Sequence, residues 1–283
     1  MKNFEKPVVS VVIATYNREK YIKRAIESVI NQTYKNIELI IIDDGSTDNT
    51  GDVVKHYLAD SRVRYIYQKN QGCIDARNNG VVIAKGKYIA ILDSDDFWCD
   101  KNKIEKQVNF LEKNTEYVIV GGGAIQIDQN GKEVVRYLLP EKDIDIRKVL
   151  LVSDALAHVT VLFRRDAWEK VGGYDKKFGF EDWDLFLKMG KIGKLYNIQE
   201  FFASYSSHQR NDPGKNDKDY SRLKQMKLKI NMKKEYRNDY PNYEKAILSC
   251  WIAYFYSLLP FRRELWPLLF KLRKLFFSRS LYR

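Results

Sequence analysis

Four short apolar runs, Val8–Ile13, Ile37–Ile42, Val63–Tyr67 and Tyr88–Leu92, alternate with segments of helical period. This alternation constrains the architecture more than any other feature of the chain. The run Tyr88–Leu92 is apolar at consecutive positions rather than at every second one, the pattern of a strand buried in a parallel sheet. Between the first two runs, Ile22, Ala25, Ile26, Val29 and Ile30 recur along one face of a 3.6-residue period. Asn17 is the expected N-cap of that helix. Val53, Val54, Tyr57 and Leu58 mark a shorter helix, and Cys73–Ala84 a third, with Gly86 expected at its C′ position. The resulting β-α-β-α-β-α-β order predicts an α/β fold with a Rossmann-like, mostly parallel central sheet flanked by helices.

Beyond Asp96 the signals are more dispersed. Ile104, Val108 and Leu111 mark a helix, and Tyr117–Val120 a strand. Ile125–Asp128 and Val134–Leu138 flank Asn130-Gly131, a hairpin signal. Val159–Phe163 reads as a strand ahead of the Gly172-Gly173 turn, and Phe180–Leu185 opens a helix whose first turn holds Glu181, Asp182 and Asp184. The loop Gln209-Arg210-Asn211-Asp212-Pro213-Gly214 is the expected boundary before the tail.

Charge divides the chain at that boundary. From Lys215 to Arg283 there are 17 Lys and Arg against 6 Asp and Glu, whereas the preceding residues are close to neutral. Ile247–Phe261 carries no charge but is shorter than the ~20 apolar residues of a spanning helix. Leu265, Trp266, Leu268, Leu269, Leu272, Leu275 and Phe276 then mix with Lys271, Arg273, Lys274 and Arg279, a composition suited to an anionic membrane interface. The expectation is a basic helical appendage contacting a membrane through residues 247–283, with a helical hairpin folded onto the body as the alternative. Three scattered cysteines imply neither a disulfide framework nor a zinc site. The first residues lack the apolar segment of a secretory signal, so a cytoplasmic location, peripheral on the inner face of the membrane, is expected.

Three of the four strands end in polar loops at one edge of the predicted sheet, where open α/β sheets bind ligands. The loops contain Ala14-Thr15-Tyr16-Asn17, Asp43-Asp44 and Asp93-Ser94-Asp95. Two acids one residue apart on turning chain can meet one hard cation, or divide a cation and a sugar hydroxyl between them. Cations such as Mg²⁺ accept one or two carboxylates together with phosphate oxygens. The loops therefore predict a metal–phosphate site.

The strings VSVVIATYNR, ELIIIDDGSTDNT, NQGCIDARNNG, KYIAILDSDD, GGYDKKFGFEDWDL and SYSSHQRN, in this order and spacing, resemble the family 2 inverting glycosyltransferases. The resemblance covers roughly residues 7–212. It implies a glycosyltransferase type-A catalytic domain over 1–212, with a nucleotide-binding half at about 7–98, an acceptor half at about 99–212 and the tail at 213–283. It also implies that one sugar moves from a nucleotide-sugar, by analogy a UDP-sugar, to a glycan or lipid-linked acceptor, as in polysaccharide biosynthesis. Ala14, Thr15, Tyr16 and Asn17 would lie against the nucleotide, and Asp43 or Asp44 would accept a hydrogen bond from the base. Arg77 would lie nearby, with a helix-surface ion pair to Asp75 or Glu105 as its alternative role. Asp93 and Ser94 would line the donor site, Asp95 would meet a divalent cation (Mn²⁺ or Mg²⁺), and His208 would join it. Asp182 would be the general base, supported by Glu181, and Trp183 would face the acceptor.

Two alternatives fit parts of the chain. A sugar nucleotidyltransferase also uses a doubly wound fold and a metal, but expects a Gly-rich loop with a basic residue after the first strand, which Ala14-Thr15-Tyr16-Asn17 is not. A nucleic-acid-binding protein would use the basic tail, yet the acid-lined sheet edge opposes a polyanion. No nucleic-acid partner is expected.

Overall fold

The computed structural model describes residues 8–206 and 222–258. Its first half is the predicted alternation: β1 (Val9–Thr15), α1 (Ile22–Ile30), β2 (Ile37–Asp43), α2 (Thr50–Lys55), β3 (Val63–Tyr67), α3 (Cys73–Val82) and β4 (Tyr88–Ile91). β1 pairs in parallel with β2 and β4, and β2 with β3. The uninterrupted apolar strings follow from covering both faces. Val9, Val11, Ile13, Leu39 and Ile41 pack with Ile22, Ile26 and Val29 of α1. Val12, Ile40, Ile42 and Ile91 face the other way, onto Ala76 and Val81 of α3.

The second half continues the sheet through β5 (Phe97–Trp98), α4 (Lys103–Lys113), β6 (Tyr117–Ile127), β7 (Glu133–Tyr137), α5 (Asp143–Leu150), β8 (Leu162–Arg164), α6 (Arg165–Val171), α7 (Glu181–Ile192) and β9 (Lys194–Ser206). The strand order is β3-β2-β1-β4-β8-β6-β9-β5, with β7 paired to β6. The sheet is mostly parallel, including the long β6–β9 pair, and β8 enters antiparallel between β4 and β6. The fold is therefore the expected α/β type with helices on both faces.

Several local expectations are corrected. Asn17 does not cap α1: Tyr21 precedes the helix, and Asn17 takes a left-handed φ of 52° with its side chain turned to the next loop. Gly86 does not close α3, which ends at Val82 with Ile83 as its cap. Gly86 is instead a close-approach residue, because a Cβ there would stand 2.5 Å from the Ser10 nitrogen. The stretch expected as strand Val159–Phe163 begins as a 3-10 turn, His158–Thr160, and becomes strand only at Leu162. Tyr117–Val120 and Ile125–Asp128, read as separate, join into β6 through Gly121-Gly122-Gly123. A Cβ at these glycines would meet Asn197, Phe202 and Phe201 of β9 at 2.4, 2.3 and 2.9 Å, respectively, so a run that reads as a break makes room for side chains of the parallel neighbour β9.

The described part of the tail is α8 (Arg222–Glu235) and α9 (Tyr243–Leu258). Met232, Tyr236, Tyr240 and Ala246 join the core on the α7 side of the sheet. Tyr236 Oη donates to Asp184 (2.7 Å) and Tyr240 Oη to the Leu187 carbonyl (2.6 Å), which ties the tail to α7. The opposite side of α9 leaves Leu248, Trp251, Ile252 and Phe255 exposed. No helix among the described residues is long and apolar enough to cross a membrane. His208, the expected boundary at 209–214 and the cationic stretch after residue 258 lie outside the described residues.

Candidate active site

The loops after β1 and β2 are laced together. Asn17 Oδ1 accepts the Thr47 N–H (2.8 Å), and the Asn17 N–H donates to Ser46 Oγ (2.9 Å). The Arg18 N–H donates to Thr50 Oγ1 (2.7 Å). Ala14 is half-buried at the end of β1 and Tyr16 is exposed on the loop. The Thr15 hydroxyl is buried without a hydrogen-bond partner among the described residues. The first loop thus sits at the sheet edge as expected, held by its neighbour rather than by a helix cap.

The two acids after β2 part company. Asp43 is an internal brace: it accepts Tyr65 Oη (2.6 Å) on one oxygen and the Ser46 N–H (2.8 Å) on the other, and it is buried. With two bonds accepted, Asp43 keeps acceptor capacity and stands beside Asp44 as a candidate for the base. Asp44 accepts Gln68 Nε2 (2.7 Å), the Gln71 N–H (2.9 Å) and the Gly72 N–H (2.8 Å), which shapes the loop ahead of α3. A carboxylate has about four lone-pair sites, so Asp44 retains acceptor capacity.

The loop after β4 holds three carboxylates. Asp93 Oδ1 accepts Arg77 Nη2 (2.7 Å), and Asp95 Oδ2 lies 3.7 Å from Arg18 Nε. Ser94 between them is buried, and the Asp96 N–H closes the turn onto the Asp93 carbonyl (3.1 Å). Asp96 is buried and accepts the Ser206 N–H (3.0 Å). Burial, and then the charges of Asp93 and Asp95, push its carboxyl up to about 8.

Arg77 joins this loop to the start of α7. While Nη2 reaches Asp93, Nη1 donates to Glu181 Oε1 at 2.7 Å. The alternative of a helix-surface ion pair is set aside, because Asp75 pairs with Lys176 and Glu105 with Thr33. Burial penalises the Arg77 charge, but Asp93, Cys73 and Glu181 outweigh that and hold the guanidinium firmly protonated. Asp182 follows Glu181 in the first turn of α7 and accepts the Trp183 N–H (2.7 Å) on Oδ1. A helix N-terminus is a favourable place for carboxylates. Trp183, expected on the acceptor side, has a buried ring whose Nε1 donates to the Leu150 carbonyl (2.6 Å), with Lys233 Nζ 4.9 Å from its centroid. It is part of the wall behind the site.

Three participants carried no mark in the sequence reading. His158 is buried and its Nε2 lies 2.9 Å from Tyr174 Oη. Burial, and then the Arg77 charge, push its imidazole below the usual value, against the opposite pull of Asp93, Asp182 and Glu181. A lone polar residue in the apolar string Ala155-Leu156-Ala157-His158-Val159 was the available signal. Tyr174 is clamped by Asn78, which accepts its N–H (3.1 Å) and donates to its carbonyl (2.9 Å). Arg24, on the polar flank of α1, donates to the Asp95 carbonyl (3.0 Å), and nothing in its sequence context sets it apart.

Among the described residues no group of three or more His, Cys, Asp or Glu converges as a ready cation cage. The donor set still suits a hard cation completed by phosphate. Asp95 is a partly exposed carboxylate at the sheet edge, and such ions take one or two carboxylates with substrate oxygens.

Comparison with known proteins agrees with this geometry. The model of the family described as glycosyl transferase family 2 matches residues 10–172. An uncharacterized glycosyltransferase of Rickettsia prowazekii is 34% identical over 215 residues, 73% of this chain and 66% of that protein. An uncharacterized glycosyltransferase of Methanocaldococcus jannaschii is 32% identical over 264 residues, covering 90% of this chain and 88% of that one. Among solved structures, S. aureus TarS 1-349 in complex with UDP-GlcNAc superposes with a TM-score of 0.68 at 19% identity, over 88% of this chain and 73% of that one. The mannosyltransferase PcManGT from Pyrobaculum calidifontis, in complex with GDP-Man and Mn²⁺, gives 0.63 at 18% identity over 91% and 72%. The parallel sheet, the family match and these relatives agree: the chain belongs to glycosyl transferase family 2.

Proposed function

We propose that this glycosyltransferase moves one sugar from a UDP-sugar to a glycan or lipid-linked acceptor, inverting the anomeric centre, with Asp182 as general base. The observation that carries the reading is the Arg77 bridge, which brings Asp93 from the end of β4 and Glu181 from the start of α7 to one guanidinium. In this reading the bridge joins a donor-side carboxylate to an acceptor-side one. The halves at about 7–98 and 99–212 are assigned on the same ground.

Ala14, Thr15, Tyr16 and Asn17 receive the nucleoside, and Asp43 or Asp44 accepts the base N–H. Asp93 meets the ribose, and Ser94 supports the turn. A divalent cation, Mn²⁺ or Mg²⁺, would be held by Asp95 with His208 and the donor phosphates, and would supply Lewis-acid stabilisation of charge on the departing diphosphate. Asp182 takes the proton of the acceptor hydroxyl as its oxygen attacks the anomeric carbon from the far face. A positioned base of this kind contributes about 10²–10⁴-fold. Glu181, fixed by Arg77, holds the first turn of α7 in place for that transfer. The complex of TarS with UDP-GlcNAc supports a uridine donor, and that of PcManGT with GDP-Man and Mn²⁺ supports the cation.

The exposed Leu248, Trp251, Ile252 and Phe255 lie at helical spacing on α9, and the cationic stretch follows in sequence. That pairing supports contact of residues 247–283 with an anionic membrane surface on the cytoplasmic side, where a lipid-linked acceptor would be met.

Release of nucleoside diphosphate across a panel of nucleotide-sugars, with Mn²⁺ and with EDTA, tests the reading. Release from a UDP-sugar that stops in EDTA is expected. Release that persists in EDTA contradicts the cation, and activity with GDP-sugars alone contradicts the uridine donor.

A further inference from the structure

Arg24 gathers three segments that are far apart in the chain. It projects from α1, and its guanidinium lies over the Phe97 ring, with Cζ 4.2 Å from the centroid. Its Nη2 donates to the backbone carbonyl of Asp95 (3.0 Å) and to Ser206 Oγ (3.3 Å). Ser206, the last residue of β9, also gives its N–H to Asp96 Oδ1 (3.0 Å) and its hydroxyl to the Asp95 carbonyl (3.4 Å). One guanidinium thus joins a helix, the loop after β4 and a strand end.

The turn from Asp93 to Asp96 is already closed by its own backbone hydrogen bond, and Asp96 already fastens Ser206. What Arg24 adds is a fixed placement of residue 95 itself. A planar guanidinium, stacked on one side and bonded along its edge, is a rigid donor whose charge persists at any physiological pH. Sites that hold phosphates and cations depend on ligands fixed within about half an ångström, and a supporting contact sets that tolerance.

We propose that Arg24 is a positioning residue for the donor site. It holds the Asp95 backbone against the end of β9, so that the carboxylate meets the cation and the diphosphate preorganised. The inference rests on the reading of Asp95 as the residue that meets the cation. It assigns to α1 a part in donor binding that no other residue of that helix has.

The test uses the full chain and its Arg24→Met and Arg24→Lys variants, titrated calorimetrically with UDP and with GDP, in Mn²⁺ and in EDTA, with the thermal midpoint of each. For whichever nucleotide the unaltered chain binds, Arg24→Met should weaken binding about tenfold in Mn²⁺ and by less than about twofold in EDTA, the loss of one charge-assisted hydrogen bond. Arg24→Lys, which keeps the charge and a donor, should recover part of the loss. Equal weakening in Mn²⁺ and EDTA, or none in either, overturns the proposal. If Arg24→Met does not fold, Ser206→Ala removes one of the two acceptors, and the same Mn²⁺-specific weakening, or its absence, decides. Should the unaltered chain bind nucleotide equally with and without Mn²⁺, the reading of Asp95 fails instead.

Discussion

Asp93 and Glu181 share one guanidinium: Arg77 donates to each at 2.7 Å, joining the end of a central strand to the first turn of α7. Between these elements the chain makes β5, α4, β6, β7, α5, β8 and α6, so their meeting is a product of topology rather than proximity in sequence. It also balances charge, since Arg77 is buried and two carboxylates face it. Without that cation, Asp93 and Glu181 would be two like charges in a confined space.

Replacing the bridge should therefore be costly. Breaking a fully buried pair costs about 3–5 kcal/mol. The Asp93 and Glu181 side chains keep 34% and 21% of their exposure, which reduces the expected loss for Arg77→Met to about 2 kcal/mol. Urea unfolding checks this. In the double variant Arg77→Met/Glu181→Gln part of the stability should return, because one unpaired charge is gone.

The link between tail and catalytic turn gives a second prediction. Tyr236 Oη donates to Asp184 Oδ1 (2.7 Å), and Lys188 pairs with the other oxygen (2.6 Å). Tyr236→Phe should destabilise by about 1.5–3 kcal/mol, the range for a hydrogen bond to a charged group. Slower sugar transfer at unchanged donor affinity should accompany it, because α7 carries Asp182 while the nucleotide loops lie elsewhere. Steady-state kinetics over a donor series separates the two.

Lys103 supplies a pH dependence. It is fully buried, donates to Gln107 Oε1 (2.8 Å) and lies 4.0 Å from the Trp98 ring centroid, and burial pushes its ammonium well below the usual lysine range. The folded chain then binds fewer protons at this site than the unfolded chain at any pH between the lowered value and about 10.4, so stability rises with pH across that window. As pH rises toward about 10 the unaltered chain should gain on Lys103→Met, by at most about 1.4 kcal/mol per pH unit. Parallel stability–pH curves for the two would contradict the assignment.

Much of the first half was legible in the sequence because β1, β2 and β4 are covered on both faces. Runs such as Ile37–Ile42 have no other stable setting, and the loops behind them fall together at one edge. The second half was harder to read, for local reasons. Gly121-Gly122-Gly123 reads as a break, yet the glycines make room for side chains of β9 in the middle of a strand. β9 itself mixes exposed and buried residues without a regular alternation. Tail residues Met232, Tyr236 and Tyr240 are separated by so many charges that their joining the core is visible only from the contacts of α7. In the site, Asp93, Arg77 and Glu181 were each singled out through the resemblance, but their meeting in two ion pairs was not. Trp183 and Asp43 were drawn inward by Leu150 and Tyr65, partners that sequence order does not reveal.

The central claim is that Asp182 deprotonates the acceptor while other carboxylates hold the donor. Donor affinity and sugar transfer measured side by side for Asp182→Asn test it most directly. The account predicts donor binding within about twofold of the unaltered chain and transfer reduced by about 10²–10⁴-fold. Transfer at the unaltered rate, or loss of donor binding in step with loss of transfer, would contradict it.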